Sequence, residues 1–103
     1  NQAVLTYDVI ILPLKNLKAY LDTGNLSSYE GKPIVFLDER FKNTCFNQIG
    51  STQISSINGL LEVNVYQGPF LQIGKKTYDV YYCFAKLEAY DVLLNYLMGV
   101  SHD

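Results

Sequence analysis

Hydrophobic and polar positions alternate with a period of two along most of this chain, the spacing of β-strands rather than of helices. Residues 4–12, from Val4 to Leu12, are rich in β-formers; Pro13 follows, and because it cannot donate to a ladder it ends the strand or places it at an edge. Leu14-Lys15-Asn16-Leu17 offers a short turn into a second strand, in which Leu17, Ala19 and Leu21 point one way and Lys18, Tyr20 and Asp22 the other. Residues 33–37 form a compact apolar strand. Residues 53–57 and 60–65 flank Asn58-Gly59, the strongest short hairpin signal. A second hairpin joins 70–73 to 77–84 through Gly74-Lys75-Lys76. Val92-Leu93-Leu94 reads as a late strand, and 95–98 as one or two helical turns. One stretch departs from the pattern: Phe41, Cys45 and Ile49 recur at i, i+4 and i+8, which predicts a short helix within 38–49.

These elements predict an all-β single domain spanning 1–103, with one or two short helices. Composition agrees: 49% hydrophobic and 14% aromatic residues, nine of them Tyr, supply a packed core. The formal net charge of −2 and the scatter of eight basic side chains argue against a nucleic acid partner. The longest apolar stretch, 9–14, is far below the roughly 20 residues of a membrane helix. There is no leader pattern at the N-terminus. The chain starts at Asn1 and its sole methionine is Met98, so it is expected to be a piece of a longer protein, with any membrane anchor outside these residues. Cys45 and Cys83 are expected to be two buried, reduced thiols. Neither has metal-type spacing and the lone His102 is in the tail, so neither metal nor other cofactor is expected.

The candidate chemistry begins at Asp22-Thr23-Gly24, which occurs once. A carboxylate there leaves a strand, enters a tight turn and can be aimed at a cleft, although Asp-Thr-Gly is also ordinary turn chemistry. Its surroundings add order. Some thirty residues later comes a glycine-tipped hairpin with Ser55, Ser56, Ile57, Asn58 and Gly59 at its tip, and near the C-terminus an apolar strand runs into a helical turn. That order resembles the single-lobe aspartic peptidases of the retropepsin type, over residues 17–99. In that family the hairpin is the flap over the substrate and the late strand packs behind the catalytic loop. The resemblance implies a single-lobe acid-protease barrel.

Asp22-Thr23-Gly24-Asn25-Leu26, followed by Gly31-Lys32-Pro33-Ile34-Val35-Phe36, is also similar to the signature of the sporulation sigma-E factor processing peptidases. Those are bacterial membrane-embedded aspartic peptidases with a retropepsin-like soluble domain. Tyr90-Asp91-Val92-Leu93-Leu94 resembles their closing strand. Three departures stand out: the loop 26–30 is shorter and lacks Asp-Pro, Leu94 stands where retropepsins have glycine, and the family's membrane helices are not in these residues.

The resemblance implies roles residue by residue. Asp22 is the catalytic carboxyl. Thr23 braces two loops, Gly24 gives the turn its conformational freedom, and Asn25 lines the cleft floor. Ser55, Ser56, Ile57, Asn58 and Gly59 close over a peptide that adds as a strand. Such hydrolysis needs one carboxyl as base and one as acid, and two carboxyls about 3 Å apart share a single proton because both cannot ionise there. A lone Asp, with a pKa near 3.9, holds no proton at neutral pH. One chain supplies one Asp-Thr-Gly, so the second must come from another copy in a homodimer. Asp91 is not expected to be a second catalytic residue, because no Thr/Ser-Gly follows it; it reads as a turn or helix-end residue.

The implied substrate is a proprotein such as the pro-form of a sporulation sigma factor, and the implied parent sits in a bacterial cell membrane with this domain cytoplasmic. Two alternatives remain open. One is a viral or transposon-type retropepsin, for which Asn25 and 31–35 are a poorer match. The other is a non-catalytic dimeric or peptide-binding module on the same fold. Asn25-Leu26-Ser27 also matches a glycosylation sequon, at a place where a glycan would block the cleft.

Overall fold

Residues 5–101 are described by the computed structural model; Val4 and His102 lie outside the described residues. About 60% is strand and about 6% helical. The strands, in chain order, are β1 (Thr6–Ile11), β2 (Leu14–Asp22), β3 (Ser28–Tyr29), β4 (Lys32–Asp38), β5 (Asn47–Ser56), β6 (Gly59–Gln67), β7 (Leu71–Ile73), β8 (Lys76–Tyr78), β9 (Tyr81–Ala85) and β10 (Val92–Asn95). All belong to one sheet in the order β5-β6-β9-β4-β10-β2-β1-β7-β8, with β3 paired to β4 off this path. The sheet is all-β as expected but is not closed into a barrel. Its two ends are β5 and the three-residue β8, which do not pair with each other.

The decisive feature is β10. It lies between β2 and β4, parallel to the first and antiparallel to the second. The chain from β2 to β4 therefore loops around a strand contributed some seventy residues later. β2 obeys its sequence alternation: Leu17, Ala19 and Leu21 are buried while Lys18 is exposed and Tyr20 and Asp22 are half-buried. Across the ladder, Ala19 meets Val92, which meets Leu37, which meets Phe84. That row belongs to the main core, with Val9, Ile11, Leu71, Tyr82 and Leu94. The opposite row, Tyr20, Leu93, Phe36 and Cys83, faces the other way. There Ile34, Val65 and Cys83 form a smaller buried cluster with Tyr29, Val63 and Tyr81 around it. β4 is thus covered on both faces, as its continuous apolar run requires.

Four expectations are corrected. The short helix within 38–49 reduces to a 3₁₀ turn at Glu39–Phe41. Asp38 accepts from the backbone N–H of Arg40, and Asn43 from that of Cys45, so two side chains bend the backbone where a helical ladder would have formed. Cys45 is consequently exposed; only Cys83 is buried, and both thiols are free. Burial pushes the Cys83 thiol up to about 12, which leaves it inert. The stretch 77–84 is two strands, because β8 pairs with β7 whereas β9 crosses to lie between β6 and β4. The first turn falls at Leu12-Pro13, and β2 begins at Leu14. The late turn is as expected: a 3₁₀ segment at Tyr96–Met98, capped by Asn95 and closed by Gly99 at φ 69°. No helix of the described residues is long and apolar enough to cross a membrane.

Candidate active site

Asp22 is the last residue of β2, and the chain turns immediately after it. The backbone N–H of Asn25 donates to the Asp22 carbonyl at 2.9 Å, and that of Gly24 donates to the Asp22 carboxylate Oδ1 at 3.0 Å. This local turn fixes the carboxylate by a neighbouring amide. Gly24 does not occupy the left-handed region, and a Cβ there would sit 3.4 Å from Oδ1, an ordinary contact. The conformational freedom implied for Gly24 is therefore not used; its contribution is its N–H.

The loop is held from below by a buried polar network. Asn25, only 8% exposed, donates through Nδ2 to the carbonyls of Ile34 (3.1 Å) and Leu94 (3.4 Å). Its Oδ1 accepts from the Ser27 hydroxyl at 2.6 Å and from the Ser27 N–H at 3.2 Å. Asn95, fully buried, donates through Nδ2 to the Ser27 carbonyl (2.7 Å), the Ile34 carbonyl (2.9 Å) and Asn25 Oδ1 (3.3 Å). The Asn95 Oδ1 accepts from the Leu97 N–H at 2.8 Å. Buried polar groups are costly unless satisfied, and here every one has partners. Asn25 thus does line the cleft, but its amide is spent on structure, which also leaves it no room for a glycan. Leu94 is fully buried and sits across the ladder from Leu21; the residue set against Asp22 is Asn95. The apolar side chain at 94 is accommodated in the main core.

Above the loop lies a cleft of about 470 Å³, lined by Asp22, Gly24 and Asn25, by Leu26, Ser27 and Ser28, by Phe36, and by Gln53, Ile54 and Ser55 of β5. Asp22 is the only ionisable residue among these. The structure therefore brings Asp22, Gly24, Asn25 and Ser55 together. It does not bring Thr23, Ser56, Ile57, Asn58 or Gly59 to the cleft wall. The hairpin turns one residue earlier than expected: Ser56 pairs with Gly59, leaving Ile57 and Asn58 as the loop, while Gly59 takes φ 110°. Ile57 projects fully into solvent. Among the six cleft residues not foreseen, Phe36 was legible in principle, since it alternates away from Val35 and Leu37; Gln53 and Ile54 precede a recognised turn. Nothing local marked Ser27, Ser28 or Asn95.

A scan against models of known protein families finds no match, and a search of curated proteins finds none either.

Asp91 lies at the opposite end of β10 from the cleft. It accepts from the Lys18 N–H at 2.8 Å and pairs with Arg40. The neighbouring Asp38 accepts the Leu87 N–H at 2.9 Å and Arg40 Nη1 at 3.3 Å. Those bonds, the Leu87 amide foremost, hold the Asp38 carboxyl below its ordinary range. This cluster ties β4, β10 and β2 together and takes no part in the cleft. Tyr20 stacks on Tyr90 with ring centroids 5.1 Å apart.

Proposed function

We propose that this chain is one half of an aspartic endopeptidase, in which Asp22 of two copies forms the catalytic pair. The observation that carries this reading is the shared cleft: a carboxylate at the end of β2 forms one wall and the edge strand β5 of a long hairpin forms the other. The insertion of β10 between β2 and β4, behind the loop, supports it. An extended peptide fits such a place, because β5 is an end strand of the sheet and its outer edge can accept an added strand. One carboxyl would activate water and the other would protonate the leaving amide, roles that a pair sharing one proton divides. By resemblance, the proposed substrate is a proprotein, such as a sporulation sigma-factor precursor, met by a domain tethered to a bacterial membrane.

A second reading is a peptide-binding module without chemistry. It is favoured by a specific fact: among the described residues, a single chain brings only one ionisable group to the cleft. Incubation with an unstructured protein substrate, with products read by mass spectrometry, separates the two. The peptidase reading expects new internal cleavages that disappear in Asp22→Asn, a loss on the order of 10³-fold or more. Peptide binding that persists unchanged in Asp22→Asn, with no cleavage by either form, would establish the module instead.

A further inference from the structure

Gly50 lies in β5 at the edge of a bulge but outside the left-handed region, so no positive φ calls for glycine there. Its surroundings do. A Cβ at Gly50 would lie 2.2 Å from the Tyr29 hydroxyl oxygen and 3.0 Å from Tyr29 Cζ. The aromatic ring of β3 therefore presses directly on the backbone of the hairpin. Tyr29 is braced from another side by Tyr81 of β9, edge-to-face with centroids 5.9 Å apart. The Tyr81 ring in turn carries the Lys32 ammonium at 4.9 Å, and Lys32 is paired with Asp79. Opposite Gly50 across the hairpin is Val65, fully buried in the same small cluster. Tyr29 thus occupies the space that a side chain on residue 50 would fill.

This contact sits between the two walls of the cleft. Tyr29 directly follows Ser27 and Ser28, which line it on the loop side. Gly50 lies three to five residues before Gln53, Ile54 and Ser55, which line it on the hairpin side. In a strand that is about 10–17 Å of lever. The base of the hairpin is fixed by Val65 and Tyr66, buried in the small and main cores, and by one bridging pair of β6 with β9, Tyr66 with Tyr82; beyond that base a bulge at 48–50 interrupts its own ladder, and Tyr29 is the side chain that reaches it from the loop wall. We infer that Tyr29, seated on Gly50, is the positioning residue that sets the width of the cleft and so the thickness of the peptide it admits. Its bearing on substrate choice rests on the peptidase reading above; its bearing on geometry does not.

The test reads geometry directly. With Cys45→Ser as background, a nitroxide on Asn58→Cys reports tip-to-loop proximity through relaxation enhancement at the Leu26, Ser27 and Ser28 amides. Gly50→Ala must open the 2.2 Å approach by more than about 1 Å, by displacing either the strand or the ring that props it, and in both cases the enhancement should change at least about twofold. Adding Tyr29→Phe removes the closest atom and should bring it most of the way back. Tyr29→Leu, which removes the prop without crowding, should also change the enhancement, and it serves if Gly50→Ala does not fold. An enhancement unchanged in folded Gly50→Ala or in Tyr29→Leu, or a change that Tyr29→Phe does not relieve, overturns the inference. Peptide hydrolysis enters none of these measurements, so the catalytic reading can fail while this one stands.

Discussion

The two walls of the cleft are built on opposite principles. The loop wall, residues 22–28, rests on fully buried Leu94 and Asn95 and on an amide network that reaches the carbonyls of Ser27, Ile34 and Leu94. The hairpin wall carries the apolar residues of its tip outward: Ile57 is fully exposed and Leu60 and Leu61 are 70% and 52% exposed. Its tip is held by its own ladder alone, and only its base is anchored, by buried Val65 and Tyr66, one bridge pair and the Tyr29 contact. A carboxylate that must meet its reacting partner within a fraction of an ångström belongs on the first kind of wall. A wall that must part to admit a chain and close on it belongs to the second.

The contrast can be broken at several depths. Leu94→Ala removes a fully buried side chain beneath the loop and should cost about 2–5 kcal/mol, whereas Leu61→Ala on the hairpin should cost under about 1 kcal/mol, both by denaturant unfolding. Equal costs would erase the distinction. Asn95→Ala takes one of two donors from each of the Ser27 and Ile34 carbonyls, removes the acceptor of the Leu97 N–H and empties a fully buried site, so it should cost about 1–3 kcal/mol, with faster amide exchange confined to residues 22–28. Exchange that quickens equally in the hairpin would show the walls to be coupled. Acid gives a smaller effect, at the far end of β10. The Asp38 carboxyl is held below its unfolded value, so its contribution is present above roughly pH 4 and fades as pH falls through the lower, folded value. Asp38→Asn should therefore flatten the fall of Tm in that acid window while leaving its shape near neutrality alone. Ile57→Ser should shift stability by less than about 0.5 kcal/mol, since nothing packs on it.

Much of this was legible because it is local. The alternation of Leu17, Ala19 and Leu21 placed Asp22 at a strand end on the correct face, and the Asn58-Gly59 pair located the hairpin to within one residue. The turn slipped because pairing decides which two residues form the loop, and Gly59 supplies its positive φ from the first position of β6 instead. The period of Phe41, Cys45 and Ile49 suggested a helix, yet Asp38 and Asn43 each bond two residues ahead and turn the chain first. The least legible parts are distant in sequence. Asn95 bonds to partners 61 to 70 residues away, and Gly50 is explained only by a ring on β3. No window along the chain contains both ends of either contact.

The central claim is that two Asp22 carboxyls act as one unit, and mixing subunits tests it most directly. Wild-type chain and Asp22→Asn are co-refolded in equal amounts, and peptide hydrolysis is measured at fixed total protein. If each site needs one Asp22 from each subunit, mixed dimers are dead and activity falls to about a quarter of the unmixed wild type. A fall to about one half, linear in the wild-type fraction, would mean that one chain suffices and would contradict the account.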